Sequence, residues 1–225
     1  MEIHMTKKNI HDAHRQRMRA KLLKHGGDVF EPHELLEMLL YFSITQKNTN
    51  PAAHALIDHQ SCLQLLESDT EQMQQAEGVG PASAMLIKTS GIFSRRAVLE
   101  AFSKEPLENT FQRSMYLYMW YRGKPASTVT ALLLDVDCRV IDNVILSQGR
   151  YIRPESYGDL ILSYAKQHGA AGVILAHNHA NNVREPSIED IFLTGQIRKI
   201  LENSPYTFYG HYIVTSTDCF SCPDV

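Results

Sequence analysis

Residues 171–190 read AGVILAHNHANNVREPSIED. Ala171 to Ala176 is a short apolar run bounded by turn residues, the pattern of a buried strand. From Pro186-Ser187 onward, Ile188, Ile191, Phe192, Ile197 and Leu201 recur at helical spacing. The stretch therefore predicts a strand, a loop and a helix. His177 and His179 fall at the strand end, and Asp190 falls in the first turn of the helix.

Side chains alternate along a strand, so His177 and His179 point the same way and can reach one metal ion. The loop is long enough to bring Asp190 back to the same point. Two imidazoles and one carboxylate leave the fourth position of a tetrahedral zinc open, the arrangement of a catalytic rather than a structural site. An ion held this way activates water at neutral pH. His-x-His alone is a weak signal in a chain with 11 histidines. Ser187 and Asp190 also read as a capping box, an N-cap serine with an acid three residues on. Capping accounts for those two residues without a metal. It does not account for two histidines on the strand end facing that helix start.

The remaining pattern extends the α/β reading toward the C-terminus. Phe111 to Arg122, rich in aromatics, reads as a helix packed on a sheet. Thr128 to Asp135 reads as a buried strand, paired across a turn with Cys138 to Leu146. Glu155 to Gln167 reads as a helix ended by His168-Gly169. Pro186 to Asn203 is the helix carrying Asp190. Thr207 to Thr215 and a short segment near Cys219-Phe220 read as strands. Strands interleaved with helices give an α/β sheet flanked by helices.

The first hundred residues read as all-helical, with residues 1 to about 10 frayed. His11 to His25 carries Arg15, Arg17, Arg19, Lys21 and Lys24 with no acid after Asp12, around a narrow stripe of Met18 and Leu22. Such a face serves either phosphate contact or solvation. Glu31-Pro32 and Asn50-Pro51 each open a helix, with proline suited to the first turn. Ser68 or Asp69 caps a short helix through Ala76. Gly78-Val79-Gly80 then opens a helix at Pro81 in a helix-hairpin-helix pattern, with Lys88, Arg95 and Arg96 further along. Its glycines let backbone N–H groups approach a DNA phosphate. The same turn also serves plain packing between two core helices. The polar Ser103–Asn109 segment marks a boundary, giving domains over residues 1–102 and 103–225.

Composition bounds the function. A net charge of −3 argues against a strongly basic nucleic-acid binder, though not against a local patch. No apolar run approaches a membrane span, and the first residues lack the apolar core of a signal peptide. The expectation is a cytoplasmic protein with its four cysteines as free thiols. Cys62 and Cys138 read as core residues. Cys219 and Cys222 form a lone C-x-x-C without the second pair a structural zinc needs.

H-x-H-x7-S-x2-D, here His177, His179, Ser187 and Asp190, resembles the JAMM (JAB/MPN) metalloprotease motif, and the whole chain resembles the bacterial RadC family. The resemblance implies an N-terminal helix-hairpin-helix domain followed by a JAMM/MPN-type mixed sheet. It implies one zinc per chain on His177, His179 and Asp190, with Ser187 stabilising the oxyanion of a tetrahedral intermediate. It further implies hydrolysis of a peptide or isopeptide bond in a protein or peptide substrate, in a DNA-repair setting, with Gly78, Val79 and Gly80 as the DNA-contacting turn. The chain departs from the family where the general base stands. The glutamate expected before the first core strand is Ser127, which has no carboxylate. Glu155, opening the next helix, is the nearest substitute. Pro-Ser-Gly after His-Asn-His is here Ala180-Asn181-Asn182. Pro-Arg-Glu before the helix is Pro154-Glu155-Ser156. The Asp-His pair near the C-terminus is Gly210-His211, and His211 reads either as a partner behind the site or as a satisfied core histidine. A metal site without its base suits a second function, a DNA-binding accessory protein whose site is catalytically impaired.

Overall fold

The computed structural model describes residues 7–150, 152–179 and 182–223. They form two compact units, one ending at Ser94 and the other beginning at Arg95. The division falls inside a long helix, Pro81–Ser103, ahead of the polar Ser103–Asn109 segment.

The first unit is helical: α1 (Lys7–His25), α2 (Pro32–Leu40), α3 (Asn50–Ile57), α4 (Cys62–Glu67), α5 (Thr70–Met73) and the start of α6 (Pro81–Ser103). Prolines sit in the first turns of α2 and α3, and capping boxes open α2, α4 and α5 from Glu31, Ser61 and Asp69. Leu36, Leu40, Leu56, Leu65, Met73 and Ile87 form one core, with Met18, Phe30, Met38 and Tyr41 in a smaller cluster beneath α1. Helix α1 already begins at Lys7, so the fraying expected over residues 7–10 is corrected. Residues 1–6 lie outside the described residues.

Two basic residues weighed as phosphate contacts or solvated surface have internal roles. Arg15 is buried, donates to the carbonyls of Ile44, Thr45 and Lys47 at 2.6–2.8 Å, and stacks on Tyr41. Lys88 donates to the carbonyls of Glu67 and Ser68, closing the end of α4. Arg17, Arg19 and Lys24 remain exposed. In the hairpin turn, Gly78 sits at φ +84°, which a side chain rarely adopts, and Val79 is buried in the core.

The second unit contains α7 (Thr110–Tyr121), β1 (Thr128–Leu134), β2 (Val140–Gln148), α8 (Pro154–His168), β3 (Gly172–Asn178), α9 (Ile188–Glu202), β4 (Thr207–Val214) and β5 (Cys219–Ser221). Among the described residues the strands form one mixed sheet in the order β2-β1-β3-β4-β5. β3 and β4 are parallel, joined through α9, and the other neighbours are antiparallel.

Strand alternation sorts the sheet residues onto two faces. Val129, Ala131, Leu133, Val173 and Leu175 pack against Ile161 and Ala165 of α8 and Leu193 and Ile197 of α9. Leu132, Leu134, Ile174 and Ala176 pack against Tyr116, Leu117 and Tyr121 of α7. Period two then puts His177 on the α9 face, in line with Val173 and Leu175. Gly169, with φ +64°, caps α8 and turns the chain into β3.

Two cysteine readings are corrected. Cys62 is exposed in the first turn of α4, where no core face is available to it. Cys138 is half-buried at φ 60° in the β1–β2 turn, its thiol donating to the Tyr209 hydroxyl. The buried pair is instead Cys219 and Cys222. No helix among the described residues is long and apolar enough to cross a membrane.

Candidate metal centre

β3 runs two residues further than its apolar stretch, through His177 and Asn178. Asn178 explains the extension. Its Oδ1 accepts from the backbone N–H of Thr128 at 2.7 Å, and its Nδ2 donates to the Pro125 carbonyl at 2.9 Å. The side chain thereby ties the β3 end to the segment entering β1. His179 follows, its N–H donating to the Val214 carbonyl of β4 at 2.9 Å. Its loop is pinned again where Asn182 Oδ1 accepts from the Ser216 N–H and where Arg184 pairs with Asp218. Residues 180 and 181 of the Ala180-Asn181-Asn182 turn lie outside the described residues.

Helix α9 begins at Ile188, not Pro186, with Ser187 as its N-cap. The capping box forms in both directions. Asp190 N–H donates to Ser187 Oγ at 3.1 Å, and Ser187 N–H donates to Asp190 Oδ2 at 2.8 Å. Capping and convergence are therefore not rivals. The cap is what aims the Asp190 carboxylate at the strand end.

His177 Nε2 lies 3.1 Å from Asp190 Oδ1, and His179 Nε2 lies 3.1 Å from Asp190 Oδ2. Among the described residues, these three are the group whose ligand atoms gather, within 4.8 Å of one another. Two donors about 2.0–2.1 Å from one tetrahedral ion lie roughly 3.3 Å apart, so the spacing suits a small divalent cation. The donor chemistry agrees for His179. Its Nδ1 lies 2.7 Å from the Val183 carbonyl, which can only accept, so Nδ1 carries a hydrogen and, in the neutral ring, the Nε2 lone pair faces the carboxylate. In a neutral ring, as a metal ligand must be, that lone pair opposes a carboxylate oxygen at 3.1 Å, a gap that a cation fits.

Behind this group sits His211, fully buried on β4. Its Nε2 is 2.8 Å from His177 Nδ1, and its Nδ1 is 2.8 Å from Thr194 Oγ1. Burial, then the neighbouring His177, pushes His211 well below the ordinary histidine range and keeps it neutral. Asp190 moves down as well. Burial opposes its charge, but the hydrogen bond and charge of His177 and the Ser187 bonds outweigh burial and hold it below the usual carboxylate range.

The two shifts have one sign. A depressed folded pKa means that the unfolded chain binds more protons below the unfolded value, so stability is present above that value and lost as pH falls through the window beneath it. The metal-free protein is expected to lose thermal stability as pH drops below about 6.5, from His211, and more steeply below about 4, from Asp190. Thermal melts between pH 8 and 3.5 check this. A melting temperature flat from pH 7.5 to 5 contradicts it.

The other predicted site residues fall as follows. Ser187 is exposed at the α9 start. Because its Oγ accepts from Asp190, its own O–H remains to donate elsewhere. Ser127 is exposed just before β1, at φ 54°, two residues ahead of Val129, the cross-strand partner of His177. Glu155 is exposed in the first turn of α8 and is not part of the converging group. Thr194 and Asn178 escaped the sequence reading. Thr194 was within reach of it, since it lies four residues after Asp190 on the same helical face. Cys219 takes no part; burial pushes its thiol up to about 12, so it stays protonated.

Two family models match the chain: the RadC-like JAB domain over residues 108–224 and the UPF0758 N-terminal domain over residues 10–85. UPF0758 proteins are similar along most of its length. That of Azotobacter vinelandii is 31% identical over 201 residues, 88% of this chain and 90% of that protein. That of Janthinobacterium sp. is 30% identical over 207 residues, 91% and 92% of the two chains. That of Pseudomonas fluorescens is 31% identical over 208 residues, 92% and 93%.

Proposed function

This chain belongs to the RadC-like JAB domain family, and from that premise we propose that it is a zinc-dependent hydrolase of peptide or isopeptide bonds. The observation that carries the reading is the convergence of His177 Nε2, His179 Nε2 and the Asp190 carboxylate on one point beside an exposed helix start. A divalent ion bound there polarises a carbonyl and acidifies water. Zinc is the proposed ion because two imidazoles and one carboxylate leave it an open position, although the same donors suit several divalent metals.

The chain's own residues supply the rest. Asn178 and the Asn182–Ser216 bond hold the strand end and its loop in place. The N-cap fixes Asp190. The Ser187 hydroxyl, exposed beside Asp190, donates to the oxygen of the scissile carbonyl as negative charge builds on it. A proton acceptor is what the arrangement lacks. Ser127 stands where the base is expected, and Glu155 does not join the group. That favours a slow enzyme, and it supports a second reading in which the metal centre binds without turnover and the protein acts on DNA through its helical unit.

The test is cleavage of fluorogenic peptide and isopeptide-linked substrates by zinc-loaded protein, with and without a chelator. Slow turnover abolished by the chelator and restored by zinc supports the hydrolase. Zinc-loaded protein with no turnover above background overturns it. DNA affinity falling steeply as salt rises would then favour the second reading.

A further inference from the structure

We propose that Thr194 and His211 are positioning residues that fix the tautomer of His177, so that its Nε2 is presented as a metal donor. This rests on the metal-centre reading above and says how that centre is held ready.

The hydrogens available to one closed ring of contacts decide which nitrogen of His177 is bare. Four links join Asp190 back to itself: the Asp190 carboxylate to His177 Nε2, His177 Nδ1 to His211 Nε2, His211 Nδ1 to Thr194 Oγ1, and Thr194 Oγ1 to the Asp190 carbonyl. In the state that can take a metal both rings are neutral, and the two rings and the hydroxyl then carry one hydrogen each for these links. Thr194 O–H donates to the Asp190 carbonyl at 2.7 Å. The hydroxyl then has nothing left to give His211, so His211 must donate to it from Nδ1. That leaves His211 Nε2 as an acceptor, and the hydrogen at its 2.8 Å contact with His177 must come from His177 Nδ1. His177 Nε2 is therefore bare. The one link without a hydrogen is the one between His177 and the Asp190 carboxylate, where a cation fits.

The reversed chain would place a hydrogen on His177 Nε2, aimed at the carboxylate, and close the metal position. It requires Thr194 to give up its bond to the Asp190 carbonyl. Thr194 thus sets the direction, His211 transmits it, and His177 expresses it. Its counterpart on the other ligand is the Val183 carbonyl, which fixes His179. Each ligand histidine has its second nitrogen committed, the arrangement that raises ligand basicity and orients the ring.

The experiment compares wild type with Thr194→Val and Thr194→Ser. Valine keeps the shape of threonine without the hydroxyl, and serine keeps the hydroxyl. Zinc affinity is read by chelator competition. Long-range proton–nitrogen NMR of the zinc-loaded, histidine-labelled protein reads which nitrogen of His211 carries its hydrogen. Circular dichroism confirms that both variants are folded. We expect Thr194→Val to bind zinc roughly 10- to 100-fold more weakly, Thr194→Ser to stay within about threefold of wild type, and wild-type His211 to carry its hydrogen on Nδ1. A folded Thr194→Val that binds zinc as tightly as wild type overturns the proposal, as does a hydrogen on His211 Nε2. Failure of the wild type to bind any divalent ion overturns the metal-centre reading itself, and this inference with it.

Discussion

Asp190→Ala is expected to weaken zinc binding by roughly 100- to 1000-fold, with His177→Ala in the same range. Structural zinc held by four protein ligands contributes about 10–16 kcal/mol, roughly 2.5–4 kcal/mol for each ligand. Asp190 carries a second duty that His177 does not, because its carboxylate accepts from the Ser187 N–H in the capping box. Asp190→Ala is therefore expected to destabilise the metal-free protein by about 1 kcal/mol as well. Asp190→Asn separates the duties. The amide oxygen still accepts from Ser187, so the cap survives, while the charge that a cation needs is gone. Zinc competition and thermal melts on the three variants check both effects. Undiminished zinc affinity in Asp190→Ala would leave Asp190 as a helix cap and nothing more.

The second large effect is a gain. Ser127→Glu, with zinc bound, is expected to raise peptide or isopeptide hydrolysis by roughly 100- to 10,000-fold, the usual contribution of a positioned general base. Ser127 is exposed and stands immediately before β1, two residues ahead of the partner of His177. A carboxylate there gives the attacking water a proton acceptor that the wild-type serine cannot provide. Ser127 sits at φ 54°, a left-handed conformation that costs any residue with a Cβ about 1–2 kcal/mol, so serine already bears that strain and the substitution adds little to it. Ser127→Gln carries the same strain without accepting a proton, and is expected to hydrolyse no faster than wild type. Equal rates for the Glu and Gln variants would mean that the missing carboxylate is not what limits hydrolysis.

Much of this was legible in the sequence because the signals were local. The run from Ala171 to Ala176 and the spacing from Ile188 to Leu201 named the β3 and α9 elements, and with them the place of His177, His179 and Asp190. The misreadings came from tertiary context. A local window cannot show that Arg15 reaches three carbonyls around Ile44–Lys47, or that Lys88 turns inward to close α4. Arginine and lysine read as surface charge until the chain folds over them. Cys62 looked like core because its neighbours are leucines, yet the helix turns it outward. Asn178 passed unnoticed between two histidines because its role is to hold a segment 50 residues away. His211 could be suspected behind the site, but its link through Thr194 required the register of β4 against β3.

The central claim is that His177, His179 and Asp190 hold one divalent ion. Diffraction from crystals grown with zinc, measured at the zinc absorption edge, tests it most directly. The account predicts one anomalous peak per chain, about 2.0–2.2 Å from His177 Nε2, His179 Nε2 and an Asp190 carboxylate oxygen. No peak at that point, or a peak only at Cys219 and Cys222, would contradict it.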